Sequence, residues 1–141
     1  MSNAKLPDNK FLAIAPVFFV ADIHWASSYY RDVLGFAFDR IWGEPPSFCM
    51  VRRGGMTIML KAIPDKQRIR PNGVANEIWD AYLWVEDADA LHAEFKSRGA
   101  KIHYKPEDRL YYGNREFAVL DPDGYVVAFA HDIAAKKKRL G

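Results

Sequence analysis

The chain has 141 residues, half of them hydrophobic and 27% charged, which is the make-up of one folded globular domain and excludes a disordered chain. A net charge of +2 is too small to argue for a nucleic-acid partner, and no apolar run approaches the ~18 residues that a membrane helix needs. The single cysteine, Cys49, excludes an internal disulfide, and residues 1–10 hold no signal-peptide core, so a cytoplasmic location is expected.

Residues 1–10 read as a polar lead-in. Phe11 to Val20 is a nearly unbroken apolar run that predicts a strand buried on both faces and ends at Asp22. Asp22 caps a helix whose apolar stripe is Ile23, Ala26, Tyr30, Val33 and Leu34, and Gly35 stops it. Phe36 to Trp42 reads as a strand broken by Pro45-Pro46. Ser47–Arg53 and Met56–Ala62 are joined by Gly54-Gly55, a two-residue hairpin signal.

From residue 63 to 76 the chain turns polar and marks a linker between units 11–62 and 77–132. The second unit opens with a strand from Glu77 to Val85, and Asp87 caps a helix with the stripe Ala88, Leu91 and Phe95, closed by Gly99. Lys101–Lys105 reads as a strand and Pro106–Gly113 as a loop rich in charge and tyrosine. Asn114–Leu120 and Tyr125–His131 pair across Asp121-Pro122-Asp123-Gly124. Residues 133–141, with the basic run Lys136-Lys137-Lys138-Arg139, read as a frayed solvated tail, the alternative being an electrostatic contact with an anionic partner.

The order βαβββ therefore occurs twice. It predicts an α+β fold in which two units form a curved, cupped mixed sheet with helices outside, and the two units share one sheet-lined hollow.

Three stretches in order, Phe19-Val20-Ala21-Asp22, Tyr30-Arg31-Asp32-Val33-Leu34-Gly35-Phe36 and Phe117-Ala118-Val119-Leu120-Asp121-Pro122-Asp123-Gly124-Tyr125, resemble the glyoxalase / bleomycin-resistance / extradiol-dioxygenase superfamily, also called vicinal-oxygen-chelate proteins. The resemblance spans residues 11–132 and implies a glyoxalase-like fold, but that superfamily hosts isomerases, epimerases, ring-cleaving dioxygenases, thiol transferases and drug-binding proteins. In its metal-dependent members ligands come from four inward strand positions, which the motifs place here at Ala15, Met59, Asp80 and Ala128. Ala and Met cannot hold a hard or borderline divalent ion, so no metal or other cofactor is expected. The histidines His24, His92, His103 and His131 offer no ligand spacing.

Strand alternation instead predicts an aromatic and methionine-rich lining. In the first unit Phe19, Phe48, Met50, Met59 and Lys61 fall on the face of the vacant ligand position, with Val17, Arg52 and Thr57. In the second unit Asp80, Tyr82 and Trp84 point inward with Ile78, while Trp79 turns toward the helix. Pairing Leu120 with Tyr125 adds Phe117, Val119 and Arg115, and a bulge would exchange Arg115 for Glu116. Trp42 with Phe48 forms a rim beside the prolines, and Tyr111-Tyr112 a lip. Plain core filling is the alternative for Met50, Met59, Val17 and Ile78, and a structural salt bridge the alternative for Asp80.

A mostly apolar pocket with a few polar groups is how small-molecule sites are built. The reading closest to these residues is a metal-free small-molecule binding protein similar to the bleomycin-resistance branch, sequestering a flat or amphipathic compound such as an antibiotic. That resemblance implies a homodimer whose pockets draw on both subunits. The alternatives are a metal-dependent lyase, isomerase or dioxygenase, a metal-free enzyme with Asp80 as general base, or a scaffold with a filled hollow.

Overall fold

The computed structural model describes residues 9–75 and 78–140. Most of the expected lead-in, and Glu77 at the expected start of a strand, lie outside the described residues. In chain order the elements are β1 (Val17–Val20), α1 (Ile23–Asp32), β2 (Ile41–Trp42), β3 (Phe48–Arg53) and β4 (Met56–Ala62). A single 3-10 turn (Lys66–Arg68) and the short α2 (Asn72–Ala75) lead to β5 (Ala81–Trp84), α3 (Ala88–Ser97), β6 (Lys101–Arg109), β7 (Asn114–Leu120), β8 (Val126–Asp132) and α4 (Ile133–Leu140). Two mixed four-stranded sheets result, with orders β1-β4-β3-β2 and β5-β8-β7-β6. The α+β architecture and the doubled βαβββ order match the expectation.

Each helix starts where its capping residue places it. The Asp22 carboxylate accepts from Trp25 N and the Asp87 carboxylate from Ala90 N, satisfying amides that have no partner inside the helix. In α1 the side chains of Ile23, Ala26 and Tyr30 are buried, and Leu34 continues their stripe; in α3 Ala88 and Phe95 are buried. Each large apolar side chain hidden in this way contributes about 1.5–3 kcal/mol. Removing Phe95 would therefore unpin α3 from the Phe117 and Phe129 rings that it meets edge-on.

One core joins the two units through their helix-bearing faces. Phe18 stacks on Tyr125 with ring centroids 4.3 Å apart, and Tyr30 donates to Asp121. Reciprocally, Arg53 at the β3–β4 hairpin forks onto Glu94 of α3 at 2.7 and 2.9 Å. The hairpin of each unit thus reaches the helix of the other. Among the described residues it is the helix-side faces, not the two lined faces, that share a core within one chain. Burying both helix faces together turns the two lined sheet faces away from each other, and the lining of the second sheet makes a small separate cluster.

Other differences have local causes. The apolar run 11–20 supplies only the four residues of β1, because pairing with β4 ends where Met59 N donates to the carbonyl of Pro16, which has no N–H to extend the ladder. Segment 36–42 touches the sheet at one bridge, Ala37 to Arg52, and again only at β2. β6 runs on to Arg109 through two register shifts, carrying Pro106 on an edge where no donor is required. The basic tail is helical: Asp132 caps α4 at Ala135 N, Lys136 pairs with Asp87 at 2.9 Å, and Arg139 donates to the Glu86 carbonyl.

Candidate functional site

The first sheet carries the lining that alternation predicts. Register pairs Trp42 with Phe48, Phe48 with Lys61 and Lys61 with Phe19, so these side chains form one row across β2, β3, β4 and β1. The next row sets Met50 beside Met59 and Met59 beside Val17. Trp42 is 45% exposed and Val17 56% exposed, so this face is open rather than core. Arg40 lies over the Trp42 ring at 4.5 Å and Arg68 over the Phe19 ring at 5.1 Å, while Lys61 donates to Ser47 Oγ. The face is aromatic, soft and basic. Cys49 alternates to the opposite side, and burial pushes its thiol up to about 11, which leaves it unreactive near neutral pH.

The second sheet departs from expectation in register. Leu120 pairs with Val126 instead of Tyr125, because residues 121–125 close the turn: Asp121 N donates to the Tyr125 carbonyl, and the Asp121 side chain accepts from the backbone N–H of Asp123 and Tyr125. The one-residue shift exchanges the faces of β7. Phe117 and Val119 go to the helix side, where Phe117 meets Phe95, Phe129 and His92. Arg115 follows them and forks onto Asp89 and Asp108, so neither Phe117 nor Arg115 lines the cupped face. In their place Glu116 and Ala118 sit beside Ala130 and Ala128.

β5 contributes an aromatic ladder. Tyr82 lies between Trp79 and Trp84, with ring centroids 4.6 and 4.8 Å away, and Trp84 is 64% exposed. Trp79, expected on the helix side, packs on the cupped face because β5 begins only at Ala81 and the preceding backbone bends. Asp80 holds local backbone. Its carboxylate accepts from Asn72 N at 2.7 Å and Val126 N at 2.8 Å, fastening α2 to the start of β8 rather than pairing with a basic side chain.

Reading strands alone missed the centre of this face. Glu116 is fully buried, and its carboxylate accepts from the hydroxyls of Tyr82, Tyr104 and Tyr112. Trp79 Nε1 donates to the Tyr104 oxygen and Asn114 Nδ2 to the Tyr82 oxygen, both shorter than 3.0 Å (2.8 and 2.9 Å). Burial, followed by the bond to Glu116, pushes the Tyr104 and Tyr112 hydroxyls well above the usual phenol range, so they remain protonated donors. Arg109 reaches within 3.9 Å of Glu116 and lies over the Tyr104 ring. Trp79, Tyr104, Arg109, Tyr112 and Glu116, with Ile78 and Tyr111, border a cleft of about 370 Å³. The bulge alternative for Glu116 and the tyrosine-rich 106–113 stretch were the only signals in the chain.

The four positions that the family resemblance marks for metal ligands carry side chains that do not make a ligand set. They hold Ala15, Met59, Asp80 and Ala128, Asp80 is committed to two backbone amides, and no group of three His, Cys, Asp or Glu side chains converges among the described residues.

The model for the Glyoxalase/Bleomycin resistance protein/Dioxygenase superfamily matches residues 12–129. The chain belongs to this superfamily. Among solved structures, this superfamily member is similar to the bleomycin-binding protein of Streptomyces verticillus in complex with copper(II)-bleomycin, at 28% identity over 86% of this chain and 96% of that one, TM-score 0.61. It also resembles TnmS3, an antibiotic binding protein from Streptomyces sp. CB03234 (21% identity, 88% and 99% covered, TM-score 0.63). A third likeness is to the bleomycin resistance determinant encoded on transposon Tn5 (21% identity, 85% and 97% covered, TM-score 0.65). Sequence comparison with curated proteins finds no match.

Proposed function

We propose that this protein binds a flat or amphipathic small molecule, in the manner of an antibiotic-sequestering member of its superfamily, and that it does so as a cytoplasmic homodimer without a metal. The observation that carries the reading is the row Trp42, Phe48, Lys61 and Phe19 with Met50 and Met59 beside it, a half-buried aromatic and methionine face that leaves Trp42 and Val17 exposed. Methionine and aromatic side chains suit a wall that adapts to a planar ligand, and Lys61 supplies a polar anchor. Similarity to two proteins described as binding bleomycin or an antibiotic supports the class of ligand.

The same surface supports the homodimer. One chain turns its two cupped faces apart, so a second copy related by a two-fold axis can set the first-unit face of one subunit against the second-unit face of the other. Such a pocket would combine Trp42, Phe48, Met50, Met59 and Lys61 from one subunit with Tyr82 and Trp84 from the other.

The test is a thermal-shift and calorimetric screen of planar aromatic compounds, bleomycin included, on wild type and Trp42→Ala, with sedimentation to fix the oligomeric state. Saturable binding that weakens at least tenfold in Trp42→Ala supports the proposal. Stoichiometric iron, manganese, nickel or zinc retained by the purified protein, or no binding by any compound, overturns it.

A further inference from the structure

The cleft around Glu116 has a chemistry distinct from the basic face of the first sheet. An ionised carboxylate offers about four acceptor positions, and three phenol hydroxyls from β5, β6 and the turn before β7 take three of them. The charge of Glu116 is thus held by neutral donors. The nearest full positive charge is the Arg109 guanidinium, 3.9 Å from Oε1 and so outside hydrogen-bond reach. Arg109 spends its direct contact elsewhere, on Glu107 at 2.9 Å.

The position of that guanidinium is informative. It lies 5.3 Å from the centre of the Tyr104 ring, the arrangement in which an aromatic face attracts a cation, and its side chain is one-third exposed at the mouth of the cleft. A planar cation therefore already fits between Tyr104 and the buried carboxylate, held by a side chain that can swing out.

We propose that this cleft is a cation subsite. An amidinium, guanidinium or ammonium group on the ligand displaces Arg109, donates to the acceptor position left open on Oε2 of Glu116, since Oε1 already takes Tyr82 and Tyr112, and stacks on Tyr104, with the exposed Tyr111 closing over it. An anionic group is repelled by Glu116 and Glu107 together. The inference rests on the binding function proposed above and specifies its ligand: a flat body for the aromatic walls, and a cationic end for this cleft.

The test compares benzamidine with its neutral isostere benzamide by calorimetry at fixed ionic strength, on wild type, Glu116→Gln and Arg109→Ala. Benzamidine is expected to bind wild type at least tenfold more tightly than benzamide. Glu116→Gln should erase that preference, and Arg109→Ala should tighten benzamidine severalfold and by more than it tightens benzamide. Equal binding of the two compounds to wild type overturns the subsite, as does a preference that survives Glu116→Gln. Should Glu116→Gln fail to fold, Arg109→Ala decides: benzamidine tightened by more than benzamide supports the subsite, and benzamidine unchanged or tightened no more than benzamide overturns it. If neither compound prefers this cleft while larger aromatics still bind through Trp42, the subsite falls and the binding function stands. If nothing binds at either face, both fall.

Discussion

The hydroxyl of Tyr30 donates to Oδ2 of Asp121 at 2.9 Å, joining the helix of one unit to the hairpin of the other inside the core. Burial pushes the Asp121 carboxyl up to about 7, against the opposing pull of the Tyr125 amide, Tyr30 and the Asp123 amide. Because this folded value lies above the unfolded one, the group favours the fold at low pH and its contribution is lost as pH rises through about 7.

Tyr30→Phe removes a donor from a buried acceptor and is expected to cost about 1.5–3 kcal/mol when Asp121 is ionised. The cost should be larger at pH 8.5 than at pH 5.5, where the carboxyl is protonated. Urea melts at the two pH values measure it, and an equal cost at both would contradict the coupling.

Stability should also respond to His131. Its Nδ1 accepts the Ala88 amide at the first turn of α3, which requires the neutral ring, and burial first, then Lys136, hold its pKa below the ordinary value. Asp87 and Asp89 oppose that shift and Arg115 adds to it. A depressed folded pKa means that stability is full above the unfolded value and falls as pH drops from about 6.5 toward the folded one. Replacing His131 with Gln, which keeps an acceptor without titrating, should flatten this part of the stability–pH curve.

The linker is pinned by close approach at one residue. A Cβ on Gly73 would stand 2.1 Å from Val126 Cγ2, so Gly73→Ala is expected to destabilise by about 1–3 kcal/mol through overpacking. Val126→Ala opens that space, and the double variant should recover part of the loss in a thermodynamic cycle. Strict additivity of the two costs would show that α2 does not seat on Val126.

Phe117 and Trp84, both expected in the lining, should separate by experiment. Phe117→Ala empties a fully buried position among Phe95 and Phe129 and should cost about 3–5 kcal/mol. Trp84→Ala removes an exposed side chain and should change stability by about 0.5 kcal/mol or less while weakening ligand binding. Chemical melts and calorimetry on the same variants distinguish a core residue from a wall.

Much of the first sheet could be read directly. The Gly54-Gly55 turn places Arg53 opposite Met56, and from that pair every lining position from Phe48 to Lys61 follows by alternation. The second sheet resisted because its turn is held by the Asp121 side chain, which binds two backbone amides and lengthens the connection by one residue. A single step in register was enough to move Phe117 and Arg115 off the cupped face and bring Glu116 onto it. The three phenols on Glu116 come from separate parts of the chain, and no local pattern announces such a meeting.

Local chemistry, then, was sufficient for the doubled βαβββ order, the two capped helices and the aromatic and methionine rows on the first sheet's open face. These follow from periodicity, capping and turn residues, whose physics acts over a few neighbours. The burial of both helix faces in one core, the outward turn of the two cupped faces and the assembly of the Glu116 cleft depend on which distant surfaces pack together. That competition among buried areas and paired charges is resolved only when the whole chain is folded.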